Sequence, residues 1–135
     1  MLPEPRELRL VLTVSDYDAA LAFYRNALGL REEASFTDGN GGRATLLYAG
    51  RATVELADAA HAEAVDDLEV GRRVAGAVRL AFAVDDAAVA TDRLVGAGAD
   101  LLAAPVLTPW GTLNARLVAP DGQQLTLFSG DEVEV

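Results

Sequence analysis

The chain has no cysteine, only one histidine, one methionine and one tryptophan, and 11 basic residues that are all arginine. Without cysteine there is no disulfide framework, no thiolate metal site and no cysteine nucleophile, so the fold must stand on packing alone, and a cytoplasmic location is expected. Positive charge is scarce. Against the 11 arginines stand 21 acidic side chains, and the formal charge of -10 repels phosphate backbones and anionic lipid. Neither nucleic acid nor membrane is an expected partner. Long apolar runs are missing too: none approaches the roughly 18 residues of a membrane span, and residues 1–7 carry Pro and Glu where a secretory leader would carry basic charge. Glycine and proline number 12 and 5, while hydrophobic residues make up 51% against 24% charged, which excludes a disordered, collagen-like or linker sequence. What is left is one globular domain over residues 1–135, long enough to bury a core and too short for two.

Within it, Leu8, Leu10, Leu12 and Val14 alternate with Arg9, Val11 and Thr13, the period of a strand whose even face meets a core. Ser15 or Asp16 then offers a helix N-cap, and Ala19, Ala20, Phe23, Tyr24, Ala27 and Leu28 recur at three- and four-residue intervals until Gly29 ends the run. Strands are expected at 30–36, 44–49 and 53–57, parted by Asp38-Gly39-Asn40-Gly41-Gly42 and by Gly50-Arg51. This makes a β-α-β-β-β module over about 7–58. An acid-rich connector, 59–76, reads as a solvated surface, and His61 within it as an exposed residue. The same pattern then restarts in a second module, about 77–130, with Val78, Leu80, Phe82 and Val84 on one strand face and Arg79, Ala81 and Ala83 on the other. Val14-Ser15-Asp16 and Val84-Asp85-Asp86 lie 70 residues apart, each opening a helix, the second running through Ala87, Ala90, Leu94 and Val95. Three strands follow at 100–107, 113–119 and 124–128, with turns at Thr108-Pro109-Trp110-Gly111 and Pro120-Asp121-Gly122. Each module has a helix for one sheet face, so the opposite faces must pack together or enclose a cleft.

Val14-Ser15-Asp16 followed by Leu21-Ala22-Phe23-Tyr24-Arg25-Asn26-Ala27-Leu28-Gly29-Leu30 resembles the opening of the vicinal oxygen chelate superfamily, which holds glyoxalases, bleomycin-resistance proteins and extradiol dioxygenases. Pro109-Trp110-Gly111 and Ala119-Pro120-Asp121-Gly122 resemble its final hairpin. The resemblance covers essentially the whole chain and implies an α+β fold: two paired βαβββ modules, with two four-stranded sheets forming a cupped, incomplete mixed β-barrel. One main helix per module lies outside, ligands bind inside the cup, and a homodimer is common. It also implies where a metal would sit, on the first and last strands of each module. Those positions are here Arg9, Glu55, Arg79 and Thr126. One carboxylate survives, and guanidinium offers donors without a lone pair. No metal or other cofactor is therefore expected.

The candidate ligand-binding residues are Arg9, Glu55, Arg79, Trp110, Thr126, Tyr48 and Phe36, with Phe128 as a further wall. The two arginines either receive an anionic or polar ligand group or pair with Glu55 and nearby carboxylates. Trp110 is either a lid on a planar ligand or a staple for its hairpin. Gly39, Gly41 and Gly42 are read as hairpin residues without chemistry. The preferred reading is a metal-independent small-molecule binding protein sequestering an aromatic or amphipathic compound, as the resemblance to the bleomycin-resistance branch implies. The alternative is a metal-independent lyase, isomerase or cyclase with Glu55 as proton acceptor.

Overall fold

The computed structural model describes residues 3–27, 30–120 and 122–135. Leu28 and Gly29, expected to end the first helix, and Asp121 of the last hairpin lie outside the described residues, as does the side chain of Phe23. Eight strands are present: β1 Glu7–Val14, β2 Glu32–Thr37, β3 Arg43–Ala49, β4 Ala52–Asp58, β5 Val78–Ala83, β6 Asp100–Leu107, β7 Leu113–Val118 and β8 Gln124–Ser129. The helices are α1 Tyr17–Leu21, α2 Ala59–Glu69 and α3 Ala87–Gly96. Expected strand limits agree with these to within two residues. The first helix differs. After α1 it widens into a π-helical turn over Ala22–Ala27, and the Leu30 amide closes it onto the Tyr24 carbonyl at 3.1 Å.

Both modules use the same local chemistry. Asp16, not Ser15, caps α1 by accepting from the Ala19 amide at 3.0 Å, and Asp86 caps α3 by accepting from Ala88 and Val89 at 3.0 and 3.1 Å. The strand order is β2-β3-β4-β1-β5-β8-β7-β6, with β1 parallel to β4 and β5 parallel to β8. Where two four-stranded sheets were expected, the structure has a single eight-stranded one, because β1 and β5 pair antiparallel and join the modules edge to edge. The sheet stays open, with β2 and β6 as its edges. No helix among the described residues is long and apolar enough to cross a membrane.

Apolar clusters form on both sides of this sheet. Under α1, Tyr17 packs with Leu47 and Leu56; under α3, Val84, Ala87 and Ala90 pack with Ala115, Leu117 and Leu127. On the opposite, concave side lie Val11, Ala81, Ala83 and Phe128, and beside them Phe36, Ala44, Leu46 and Ala57. Along β1 the even face meets the core under α1 at Leu12 and Val14, as expected, but the odd face is buried too and the start of the even face is not. Arg9 and Val11 on the odd face are each 4% exposed, whereas Leu8 on the even face is 42% exposed and Val78, on the matching face of β5, is 45% exposed. The helices cover only the flanks of the convex side, leaving the β1–β5 seam open, while the concave side is closed by chain from elsewhere.

Much of that closure is α2, which corrects the reading of 59–76 as a solvated connector. Asp58 accepts from the His61 amide at 2.8 Å and starts the helix, whose His61, Ala62, Val65, Asp66 and Glu69 are buried. These positions recur at helical intervals, so one side of α2 lies across the cup while its other acidic residues stay in water. Buried Arg116, on β7, holds it there: its guanidinium donates to Asp66 at 2.8 Å and to Glu69 at 3.0 Å.

Candidate functional site

The cleft between sheet and α2 contains about 470 Å³ of empty space, part of it open to solvent. Strand register places its floor. Arg9 lies opposite Ala81 and Val11 opposite Arg79, so the two arginines are diagonal neighbours on one face of the seam. Glu55 pairs with Val11 and Thr126 with Ala81, equivalent positions in the two modules. All four side chains line the cleft, together with Phe36, Trp110 and Phe128. Of the residues singled out by sequence, only Tyr48 stays outside: it shares the sheet face but lies far along β3, with the Arg31 guanidinium 4.2 Å above its ring.

The arginines are equivalent in sequence and opposite in environment. Arg9 donates to Glu132 through two parallel bonds of 2.9 Å, to Glu7 at 2.9 Å and to Glu55 at 3.4 Å, and it lies 4.7 Å over the Phe128 ring. Burial works against its charge, yet the bond to Glu132 and the charges of Glu55 and Glu132 outweigh it and raise its pKa. Arg9 is a structural cation. Arg79 donates to the Thr126 hydroxyl at 2.6 Å, and among the described residues no carboxylate comes within 4.0 Å of its guanidinium. Burial accordingly lowers its pKa, with the more distant Glu69 and Glu55 pulling the other way.

Two chain segments close the rim. The tail brings Glu132 onto Arg9, and the Val133 amide donates to the Trp110 carbonyl at 2.9 Å. Trp110, on the loop between β6 and β7, packs against the cluster of Phe36, Ala44, Leu46 and Ala57 from the other module. It is at once a staple and a wall. The third contribution was missed in the sequence: His61, expected to be exposed, is 5% exposed and lines the cleft, with its ring 6.1 Å from that of Trp110. Glu69, expected in solvent, lines it too, held by Arg116 and by Asn114, whose amide donates at 2.9 Å. An available signal for this was Arg116 itself, a lone arginine between Ala115 and Leu117 in an apolar strand, which demands a carboxylate from elsewhere in the chain.

Paired βαβββ modules curved around a cleft, with functional positions on the first and last strand of each, define the vicinal oxygen chelate fold. The profile of the Glyoxalase/Bleomycin resistance protein/Dioxygenase superfamily matches residues 8–127, and the chain belongs to that superfamily. No curated protein matches it. Among solved structures, a hypothetical protein from Bacillus halodurans C-125 is similar with a TM-score of 0.70 at 18% identity, over 100% of this chain and 97% of that one. Methylmalonyl-CoA epimerase from Mycobacterium tuberculosis gives 0.68 at 19%, over 96% and 90%. A superfamily member from Vibrio splendidus 12B01 gives 0.62 at 14%, over 92% and 98%. At such identities the likeness is one of fold.

The metal that this family implies does not fit the residues present. Two of the four strand positions hold guanidinium groups, which carry a charge of the ion's own sign and no lone pair. The other two are already engaged by them, Glu55 by Arg9 and Thr126 by Arg79. No three His, Asp or Glu side chains gather into a metal-binding group among the described residues.

Proposed function

We propose that the protein binds a small organic anion with an aromatic or apolar body in this cleft, without a resident metal, and can sequester it as drug-binding members of the bleomycin-resistance branch do. The observation that supports this is Arg79, a cation in the wall of the cleft that Phe36, Trp110 and Val65 also line, with only a hydroxyl for partner among the described residues. A carboxylate entering there gains a charge-assisted, forked pair, and its ring replaces water against apolar walls. Glu55, the alternative proton acceptor, is less suited to that task because Arg9 already lies on it.

The test is thermal denaturation with benzoate, phenylpyruvate and 4-phenylbutyrate against their neutral amides, before and after dialysis with a chelator. The acids are expected to raise Tm, by the equivalent of about 2.7 kcal/mol at a hundredfold excess over Kd, with or without chelation. Equal shifts from the amides, or shifts abolished by the chelator, would refute the reading.

The proposal includes a homodimer. The open seam presents Leu8 and Val78, with Leu10 and Leu80 half-buried between them. Because β1 and β5 run antiparallel at the centre of the sheet, this apolar strip has an internal two-fold arrangement and suits an isologous contact with a second copy. Sedimentation should find a dimer that Leu8→Glu with Val78→Glu converts to a folded monomer; a monomeric parent protein would end this part of the proposal.

A further inference from the structure

The only histidine of the chain is built into a hydrogen-bonded pair that the binding function leaves unused. His61 Nδ1 lies 3.0 Å from Asp38 Oδ2, and both side chains are largely withdrawn from solvent, 6% and 11% exposed. Asp38 is fixed in its turn: Oδ1 accepts from the amides of Asn40 and Gly42 at 2.9 Å each. Burial favours its neutral form, but these two amides and His61 outweigh it and hold the pKa below the usual carboxylate range. An ionised carboxylate only accepts, so the proton between the pair belongs to Nδ1, and in the neutral ring the lone pair is on Nε2.

The Asp38–Gly42 hairpin, read in the sequence as empty of chemistry, is shaped for this. A Cβ on Gly42 would overlap the Asp38 carboxylate and the His61 backbone, so only glycine lets the turn press against the start of α2. Nε2 has no hydrogen-bond partner among the described residues. Nor is it sealed: the one sealed side-chain polar atom left unpaired among them is Thr91 Oγ1. The ring that carries this free nitrogen lines the cleft together with Arg79 and Trp110.

We propose that His61 is the general base of the cleft, acting on a carbon acid, with Asp38 as its positioning residue. The substrate class is a small carboxylate with a hydrogen on the carbon next to a carbonyl, and in placing that substrate the proposal rests on the anion-binding reading. Nε2 takes the proton; the C–H electron pair becomes the carbon–carbon double bond, and the carbonyl pair moves to oxygen. The resulting enolate is stabilised by the Arg79 guanidinium and the imidazolium by Asp38. Return of the proton restores the base, so no oxidant, reductant or second substrate is needed. Among the described residues the cleft is lined by no serine, cysteine or lysine for covalent catalysis, and the one hydroxyl among them, on Thr126, receives the Arg79 bond.

The experiment has two readouts. In 15N-labelled protein the single imidazole gives one set of ring signals. In the neutral ring these are expected to show Nδ1 protonated and Nε2 bare. In Asp38→Asn the side-chain oxygen stays on the two amides, which turns the NH2 toward Nδ1 and forces the proton onto Nε2. In parallel, proton NMR in D2O follows loss of the C3 hydrogens of 2-oxobutyrate and 4-phenyl-2-oxobutyrate, and Tm shifts report their binding. The wild-type protein should speed the exchange over buffer. His61→Gln and Asp38→Asn should each slow it about 100-fold or more while keeping the Tm shifts. A protein that binds these probes without exchanging them, exchange unchanged in His61→Gln, or a neutral wild-type ring already protonated on Nε2 would each overturn the proposal. Should no probe raise Tm, it is the anion-binding reading that fails, and the proton-acceptor assignment is then decided by the tautomer.

Discussion

Arg116→Met is expected to cost about 3 to 5 kcal/mol of unfolding free energy, the loss typical of removing one partner from a buried ion pair. Its side chain is fully buried and gives bonds of 2.8 Å to Asp66, 3.0 Å to Glu69 and 3.0 Å to the side-chain Oε1 of Gln124. Methionine fills much of the volume and leaves two carboxylates without their shared counter-charge. Asp66 would retain Arg73 and the amides of Val74 and Ala75, and Glu69 would retain Asn114, which is why the loss should stop short of unfolding. Urea titration measures it. A loss below about 1 kcal/mol would mean that α2 is held across the cup by packing alone.

The same network sets an acid limit. Burial raises the Asp66 pKa, but the amides of Ala75 and Val74, with Arg116 and Arg73, overcome this and bring it down to about 2. A carboxyl depressed in the folded state stabilises above its unfolded pKa and loses that contribution as pH falls through the folded one. Roughly 2 kcal/mol should therefore disappear between about pH 4 and pH 2. In Asp66→Asn this part of the acid sensitivity should be missing.

Arg79→Met is expected to separate binding from stability. Affinity for aromatic carboxylates should fall by about 2 to 5 kcal/mol, on the order of 30-fold or more in Kd, since a desolvated forked pair is lost. Stability should hold or rise, because in the free protein this guanidinium is half-buried with a hydroxyl as partner and, among the described residues, no carboxylate in contact. Arg9→Met, which strands Glu7, Glu55 and Glu132, should do the reverse and destabilise the fold. Unchanged affinity together with a stability loss above about 2 kcal/mol in Arg79→Met would return that residue to a structural role. Calorimetric titration and urea unfolding of the two variants decide it.

Sequence reasoning reached the strands through their period-two alternation and the helices through Asp16 and Asp86, which cap α1 and α3. The resemblance to the superfamily pointed to Arg9, Glu55, Arg79 and Thr126, and the repeat of 70 residues matched Arg9 with Arg79 on the odd faces of the two first strands; strand register brings all four onto one floor. Sequence reasoning went astray wherever polarity was taken as a sign of exposure. In α2 the residues that enter the interior are His61, Asp66 and Glu69 as well as Ala62 and Val65, so the face that packs has no apolar signature. On β1 the even face meets a core at Leu12 and Val14, as its alternation implies, but the charged odd face is buried as well and Leu8 is left exposed, because burial there followed what covers each side of the sheet.

The sequence alone determined the paired modules and the strand limits, which are properties of local pattern, and put arginine at two positions where the resemblance implies metal ligands, which is a matter of residue type. Tertiary structure alone decided that Arg9 pairs with carboxylates while Arg79 meets a hydroxyl, and that His61, a residue of the cleft wall, meets Asp38. Those outcomes depend on segments far apart in the chain, the tail with Glu132, the Asp38–Gly42 turn and α2 tied down by Arg116. Charges and hydrogen bonds act through space, over a few ångströms, and no spacing along the chain records which of them will meet.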